Sequence, residues 1–181
     1  MKKIPTVFLR DPADRKRTLD QVHPECRWVL DGEGTPTRKY DGTCVLLDED
    51  GVWWARREVR PARQRPPGYR AVETDEVTGK TVGWEPIANS SYATCHVEAV
   101  ADGASRRPGT YELIGPRING NPERVPTHQL VRHADAEVLD TPRDFAGLRA
   151  WLLAHPHFEG IVWHHPDGRR AKLKYRDFAT N

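Results

Sequence analysis

Glu159-Gly160-Ile161-Val162-Trp163-His164-His165-Pro166-Asp167-Gly168-Arg169-Arg170-Ala171-Lys172-Leu173-Lys174-Tyr175 is the stretch that decides the fold class. Two short runs, Gly160 to Trp163 and Ala171 to Tyr175, flank the turn-forming Pro166-Asp167-Gly168 and read as a β-hairpin. Further upstream, Thr43 to Leu47 and Val52 to Arg56 make a second hairpin around Asp48-Glu49-Asp50-Gly51. Trp28 to Leu30 and Tyr111 to Ile114 read as further strands. One helix is clear, starting at Thr141: a Thr cap, Pro142 at the first helical position, Asp144 in the first turn, and Phe145, Leu148, Trp151 and Leu152 on one face. Pro156 ends it. Pro61 to Thr81 and Arg117 to Pro126 are polar, rich in Pro or Gly, and read as exposed loops. Strands outnumber helices and do not alternate with them, so the expected fold is α+β, antiparallel β-sheets flanked by helices, and not a doubly wound sheet.

A length of 181 residues suits one domain, 1–181, with no appended C-terminal domain expected. Six Trp, five Tyr and four Phe supply packing groups despite 30% charged residues, which excludes a disordered chain. No run of eighteen apolar residues occurs, and the first residues lack the apolar core of a secretory signal, so the expectation is a cytoplasmic protein without a membrane partner; a monomer is expected as well. Cys26, Cys44 and Cys95 form an odd set without CxxC spacing, which points to reduced thiols and away from a zinc ribbon. His155, His157, His164 and His165 lack accompanying ligand spacing and read as surface or helix-end residues. Gly79-Lys80-Thr81 imitates the end of a P-loop, but Thr74 stands where the earlier glycine is required.

Net charge is only +2, yet its local distribution is uneven. Arg56, Arg57, Arg60, Arg63, Arg65 and Arg70 face a single acid, Glu58, within their own stretch. That is either a polyanion-binding strip or a solvated loop.

The chain holds twenty-one arginines and seven lysines, and Lys39, Lys172 and Lys174 lie in strand-like segments. An amine can lose its proton and attack phosphorus, whereas a guanidinium in a protein stays protonated, so a site that needs a nitrogen nucleophile uses Lys. Lys39-Tyr40-Asp41-Gly42 puts the amine two residues before a carboxylate and three before a glycine, leaving room for a phosphate to approach the backbone. The same tetrapeptide also reads as a plain hairpin-entry turn. Lys172 and Lys174, two apart on a strand, direct both ammonium groups to one face, with Leu173 and Tyr175 on the other. They are either a solvated strand edge or partners of Glu159, the lone carboxylate that opens the paired strand. Glu112 likewise heads an apolar run in Tyr111-Glu112-Leu113-Ile114-Gly115.

In order, Lys39 in KYDG, Arg56 and Arg57 after a hairpin, Glu112 in YELIG, Glu159 in EGIVW, and Lys172 and Lys174 in AKLKY resemble the collinear motifs of the covalent nucleotidyltransferases, the polynucleotide ligases and capping enzymes. YELIG followed by INGNP, and EGIVWH followed by DG, look like the compact ATP-dependent 5′-to-3′ RNA ligases found in vertebrates; Trp53-Trp54-Ala55-Arg56 and Gly83-Trp84 also fit. The resemblance implies the adenylation-domain fold, with Lys39 attacking the α-phosphorus of ATP and carrying AMP. It implies Arg56, and after it Arg57, on ribose or phosphate, and Lys172 and Lys174 together with Mg²⁺ or Mn²⁺ lowering the proton affinity of Lys39 and neutralising phosphoryl charge. Glu112 and Glu159 would hold the sugar or the waters of the hydrated metal, Asp41 is a further partner, and Trp84 or Trp163 would stack on adenine. Arg60, Arg63 and Arg65 would bind nucleic acid. Many relatives carry an arginine shortly after KxDG; here the fifth position after Lys39 is Cys44, which moves sugar binding to Arg56.

The implied function is ATP-dependent joining of RNA 5′-phosphate and 3′-hydroxyl ends through lysyl-AMP. A DNA nick ligase, a capping-type guanylyltransferase, or a non-catalytic nucleic-acid-binding module of the same fold are the rivals. Lys39, Glu112, Glu159, Lys172 and Lys174 together favour the enzyme, because a binding module needs charge but not an attackable amine.

Overall fold

Period-two patterning in the last hairpin has its counterpart in a computed structural model, which describes residues 3–14 and 17–179. Along the chain run β1 (Phe8–Arg10), β2 (Thr18–Val22), α1 (Arg27–Leu30), β3 (Thr35–Lys39), β4 (Thr43–Leu47), β5 (Trp53–Val59), β6 (Arg70–Thr74) and β7 (Thr81–Pro86). Then follow α2 (Ala93–Val100), β8 (Gly109–Ile114), β9 (Gln129–Arg132), α3 (Phe145–Ala154), β10 (Gly160–His164) and β11 (Arg170–Lys174). All paired strands in the three sheets are antiparallel, so the fold is α+β with few helices. The residues divide into two units, 41–135 and 3–40 with 136–179.

In the second unit, β10 lies between β11 and β3. Ile161 and Trp163 on β10 and Ala171 and Leu173 on β11 are fully buried and pack with Val7, Phe8, Trp28, Val29, Leu148 and Leu152. This apolar face is the inner one, and alternation sends Lys39, Lys172 and Lys174 to the other. The free side of β11 is partly covered, because the backbone N of Lys172 donates to Pro5 O at 3.0 Å and Lys172 O accepts from Val7 N at 3.0 Å. At that point β11 is not the open edge that guard lysines protect.

In the first unit a six-stranded sheet runs β6-β7-β5-β4-β8-β9. One face buries Val45, Leu47, Tyr111 and Leu113 against Cys95 and Ala99 of α2 and against Ile118. The opposite face carries Cys44, Leu46, Trp54, Arg56, Trp84 and Glu112, as the cross-strand pairs Cys44 with Glu112, Leu46 with Trp54 and Arg56 with Trp84 require.

Three local expectations need correction. Trp28 to Leu30 is not a strand but part of α1, because a run of three apolar residues is too short for periodicity to separate the two and a turn at Pro24–Cys26 leads straight into the helix. The last helix starts at Phe145, with Asp144 as its cap accepting from Gly147 N at 2.9 Å. Thr141 and Pro142 stay outside it, since Arg143 reaches away to the carbonyls of Val29, Glu33 and Gly34. Pro61 to Thr81 contains β6, an edge strand with mostly exposed side chains and hence no apolar alternation to read.

Candidate functional site

Gly160 pairs directly with Lys39 on one side and with Lys174 on the other. Opposed residues in antiparallel strands share a face, so two lysines flank a position without a side chain. A Cβ at Gly160 would stand 2.1 Å from Leu173 O and 2.7 Å from Lys174 Cα, so only glycine lets the strands close. Glu159 meets both amines: Lys39 Nζ lies 2.6 Å from its Oε2, and Lys174 Nζ donates to its Oε1. Lys172 shares the face one pair further along, opposite Val162, which also pairs with Thr37.

The side chains of Lys39, Glu159 and Lys174 are 20%, 15% and 16% exposed, so this charge cluster is shielded from most solvent screening. Burial pushes the Glu159 carboxyl up, but the charges of Lys39 and Lys174 and their hydrogen bonds outweigh it and hold the group below the ordinary carboxylate range. Position is fixed from behind by Asp177, 3% exposed, which accepts from the backbone N of Lys174 at 2.8 Å and pairs with Arg10. Both oxygens of Glu159 are therefore turned to lysines. Trp163 lies on the opposite face of the same sheet at 0% exposure, where its ring offers no surface to a base.

In the first unit, Arg56, Trp84 and Glu112 share the sheet face that turns away from α2, while Arg57 falls on the other face, 3.9 Å from Glu85. Arg56 Nε is buried without a hydrogen-bond partner among the described residues. Trp84 is 7% exposed, which leaves little of its ring open to a base. Glu112 is oriented by His133: Nε2 lies 2.9 Å from Glu112 Oε2, and Nδ1 lies 2.9 Å from Thr110 Oγ1.

Asp41 and Gly42 are held by the loop after β8. Asn119 Nδ2 donates to Asp41 Oδ1 at 2.9 Å and to Gly42 O at 3.0 Å, and Glu123 Oε1 accepts from Asp41 N at 2.8 Å. The room at Gly42 is used by the protein itself, since a Cβ there would come 2.3 Å from Leu113 O; it is not an opening for phosphate. Arg60, Arg63 and Arg65 are exposed and make no ion pair among the described residues. His133, Glu123 and the tight fit at Gly160 are features that sequence reading missed.

Mg²⁺ commonly takes one or two protein carboxylates and completes its shell with phosphate oxygens and water. Among the described residues no group of three or more His, Cys, Asp or Glu could hold a metal ion by itself. Glu112, fixed by His133 through one oxygen, suits such a phosphate-borne ion; Glu159, taken up by two ammonium groups, does not.

An α+β protein with lysines converging on one carboxylate, and with a second acidic residue held by histidine, is the class that the fold and the residues define. Residues 104–179 match the RNA ligase 1 family, a stretch that contains Glu112, Glu159, Lys172 and Lys174 but not Lys39. The chain is similar to RNA ligase 1 of Danio rerio, 36% identical over 72 residues, which cover 35% of this chain and 22% of that protein. The chain thus spans about a fifth of that relative's length.

Proposed function

We propose that the protein is an ATP-dependent RNA ligase of the covalent nucleotidyltransferase fold, with Lys39 as the residue that carries AMP. The observation that carries the reading is the convergence of Lys39 and Lys174 on Glu159 across Gly160, with Lys172 on the same face. Lys39 is shielded from solvent and shares its partner carboxylate, Glu159, with Lys174, and Lys172 on the same face adds a further place for phosphoryl charge. The family match at residues 104–179 supports RNA as the substrate class.

Lys39 Nζ, once it has given up its proton, attacks the α-phosphorus of ATP; the P–O bond to the β-phosphate breaks, and pyrophosphate leaves. Glu159, held below the ordinary carboxylate range by the two lysines, positions the Lys39 amine, and water takes the proton. Lys172 and Lys174 stabilise the charge that grows on the phosphoryl oxygens. Arg56 binds ribose or phosphate, Asp41 orders the start of the following segment, and Glu112 holds the sugar or a metal-bound water. Mg²⁺ would neutralise triphosphate charge and would be held on the protein side by Glu112. The RNA 5′-phosphate then takes AMP from Lys39 as the N–P bond breaks, and the 3′-hydroxyl displaces AMP to form the phosphodiester. Arg60, Arg63 and Arg65 contact the RNA backbone, and the protein acts as a cytoplasmic monomer.

An end-joining assay with labelled RNA and DNA strands and each nucleoside triphosphate tests this reading. Joining of 5′-phosphorylated RNA with ATP is the expected result. Joining of DNA nicks alone, transfer of GMP, or RNA binding with neither adenylylation nor joining would replace it with one of the rival functions.

A further inference from the structure

Arg70 opens β6 at the edge of the larger sheet, directly opposite Trp84. Its guanidinium carbon stands over the Trp54 ring, 3.8 Å from the centroid. Since Trp54 pairs with Pro86, two residues from Trp84, the contact is a diagonal one across β7, within reach of a long side chain. The indole is itself fixed: Nε1 donates to Asp48 Oδ2 at 2.8 Å, and Asp48 Oδ1 accepts from the backbone N of Val52 and Asp50. Just before Arg70, the Tyr69 hydroxyl bridges the carbonyl oxygens of Arg57 and Thr81 and sets where the strand begins.

Exposure splits the pair. Trp54 is 6% exposed, whereas the Arg70 side chain keeps 65%, so the guanidinium has the indole on one side and solvent on the other. Asp48 Oδ2 lies 3.8 Å from Arg70 Nη1, beyond hydrogen-bond length, which leaves the guanidinium donors available. An unsupported surface arginine loses much rotamer freedom when a ligand orders it. Here the ring beneath and the carboxylate beside have already restricted it, which lowers that cost on binding.

We propose that Arg70, held against Trp54, is a stacking platform for an unpaired base of a single-stranded nucleic acid, with its N–H groups and the exposed Arg60, Arg63 and Arg65 meeting the phosphates. This rests on the reading of the chain as an RNA-joining enzyme. A guanidinium plane stacks with any base, so the platform adds affinity without sequence preference. A protein that joins ends of unrelated sequence needs contacts of that kind. Lysine at this position would keep the charge and lose the plane.

Fluorescence anisotropy with a short 5′-phosphorylated single-stranded RNA, intact or with one abasic site stepped along it, tests the platform. Wild-type binding should weaken by about ten-fold when the abasic site reaches one particular position. Arg70→Lys should bind intact RNA about ten-fold more weakly, with an unchanged salt slope and no response to the abasic site, while still adenylylating Lys39. Equal wild-type binding of intact and abasic strands at every position, or a response to the abasic site that survives in Arg70→Lys, overturns the platform and leaves the ligase reading standing. Failure of the wild type to bind any of these RNAs overturns both.

Discussion

Lys39 Nζ lies 2.6 Å from Glu159 Oε2 although 120 residues separate the two in the chain. The pair makes Glu159 sensitive to acid in a defined direction. Its folded carboxyl is held below the ordinary range by Lys39 and Lys174 in spite of burial. A depressed carboxyl stabilises the fold above its unfolded value of about 4.3 and loses that contribution as pH falls through the folded value. Wild type should therefore lose stability more steeply than Glu159→Gln below about pH 4.3. At neutral pH the variant leaves two shielded ammonium groups without a counter-charge and should be less stable by about 1 to 3 kcal/mol, less than for full burial because each group keeps some exposure. Denaturant unfolding across this pH range measures both effects; a difference that does not change with pH contradicts the pairing.

Gly160→Ala should damage the lysine cluster without touching a charge. Its methyl group would meet Leu173 O and Lys174 Cα well inside contact distance, and backbone cannot give way as a flexible side chain can. A loss of about 2 to 3 kcal/mol is expected, toward the upper end for overpacking. Ligation should fall together with stability. A variant as stable as wild type would show that β10 and β11 do not close as described.

In the proposed reaction Lys172 and Lys174 stabilise the phosphoryl oxygens. Replacing either by Ala should remove about 2 to 4 kcal/mol of transition-state stabilisation, the range for loss of one preorganised electrostatic donor. Single-turnover adenylylation reads this directly. Normal rates in both variants would return the two lysines to a solubilising role.

His133 holds Glu112 through one carboxylate oxygen. His133→Ala should raise KM for ATP by about ten-fold, in keeping with a lost hydrogen bond to a charged group, with a smaller effect on kcat. His133→Gln, which can still donate, should recover part of the loss. Equal effects of Ala and Gln, or an unchanged KM, would show that Glu112 needs no such support.

Much of the lysine-bearing strand pair was readable locally. Alternation around Pro166-Asp167-Gly168 identifies β10 and β11, and a spacing of two residues puts Lys172 and Lys174 on one face away from Leu173. The third strand was not readable, because β3 joins β10 across more than a hundred residues and no local pattern encodes such a register. The glycine between Lys39 and Lys174 gains its meaning only from that register. Arg56 and Arg57 were candidates together; strand parity separates them once Val45 and Leu47 show which face is buried. Helix α2 was missed because polar Thr94, His96 and Glu98 interrupt its apolar residues, and His133 was missed because its contact with Glu112 depends on how β9 returns beside β8.

Lys39 as the AMP-carrying nucleophile is the claim on which the mechanism depends. An ordinary lysine, with a pKa of about 10.4, is almost wholly protonated at neutral pH and has no lone pair to offer, so attack requires that the proton leave. Lys39→Arg preserves the charge and much of the length but cannot act as a nucleophile. The most direct measurement is mass spectrometry of the purified protein after incubation with ATP and Mg²⁺, on wild type and on Lys39→Arg. AMP is expected on the wild-type peptide that carries Lys39, through an acid-labile, alkali-stable phosphoramidate bond, and none on the variant. AMP on a different residue, or adenylylation that persists in Lys39→Arg, would contradict it.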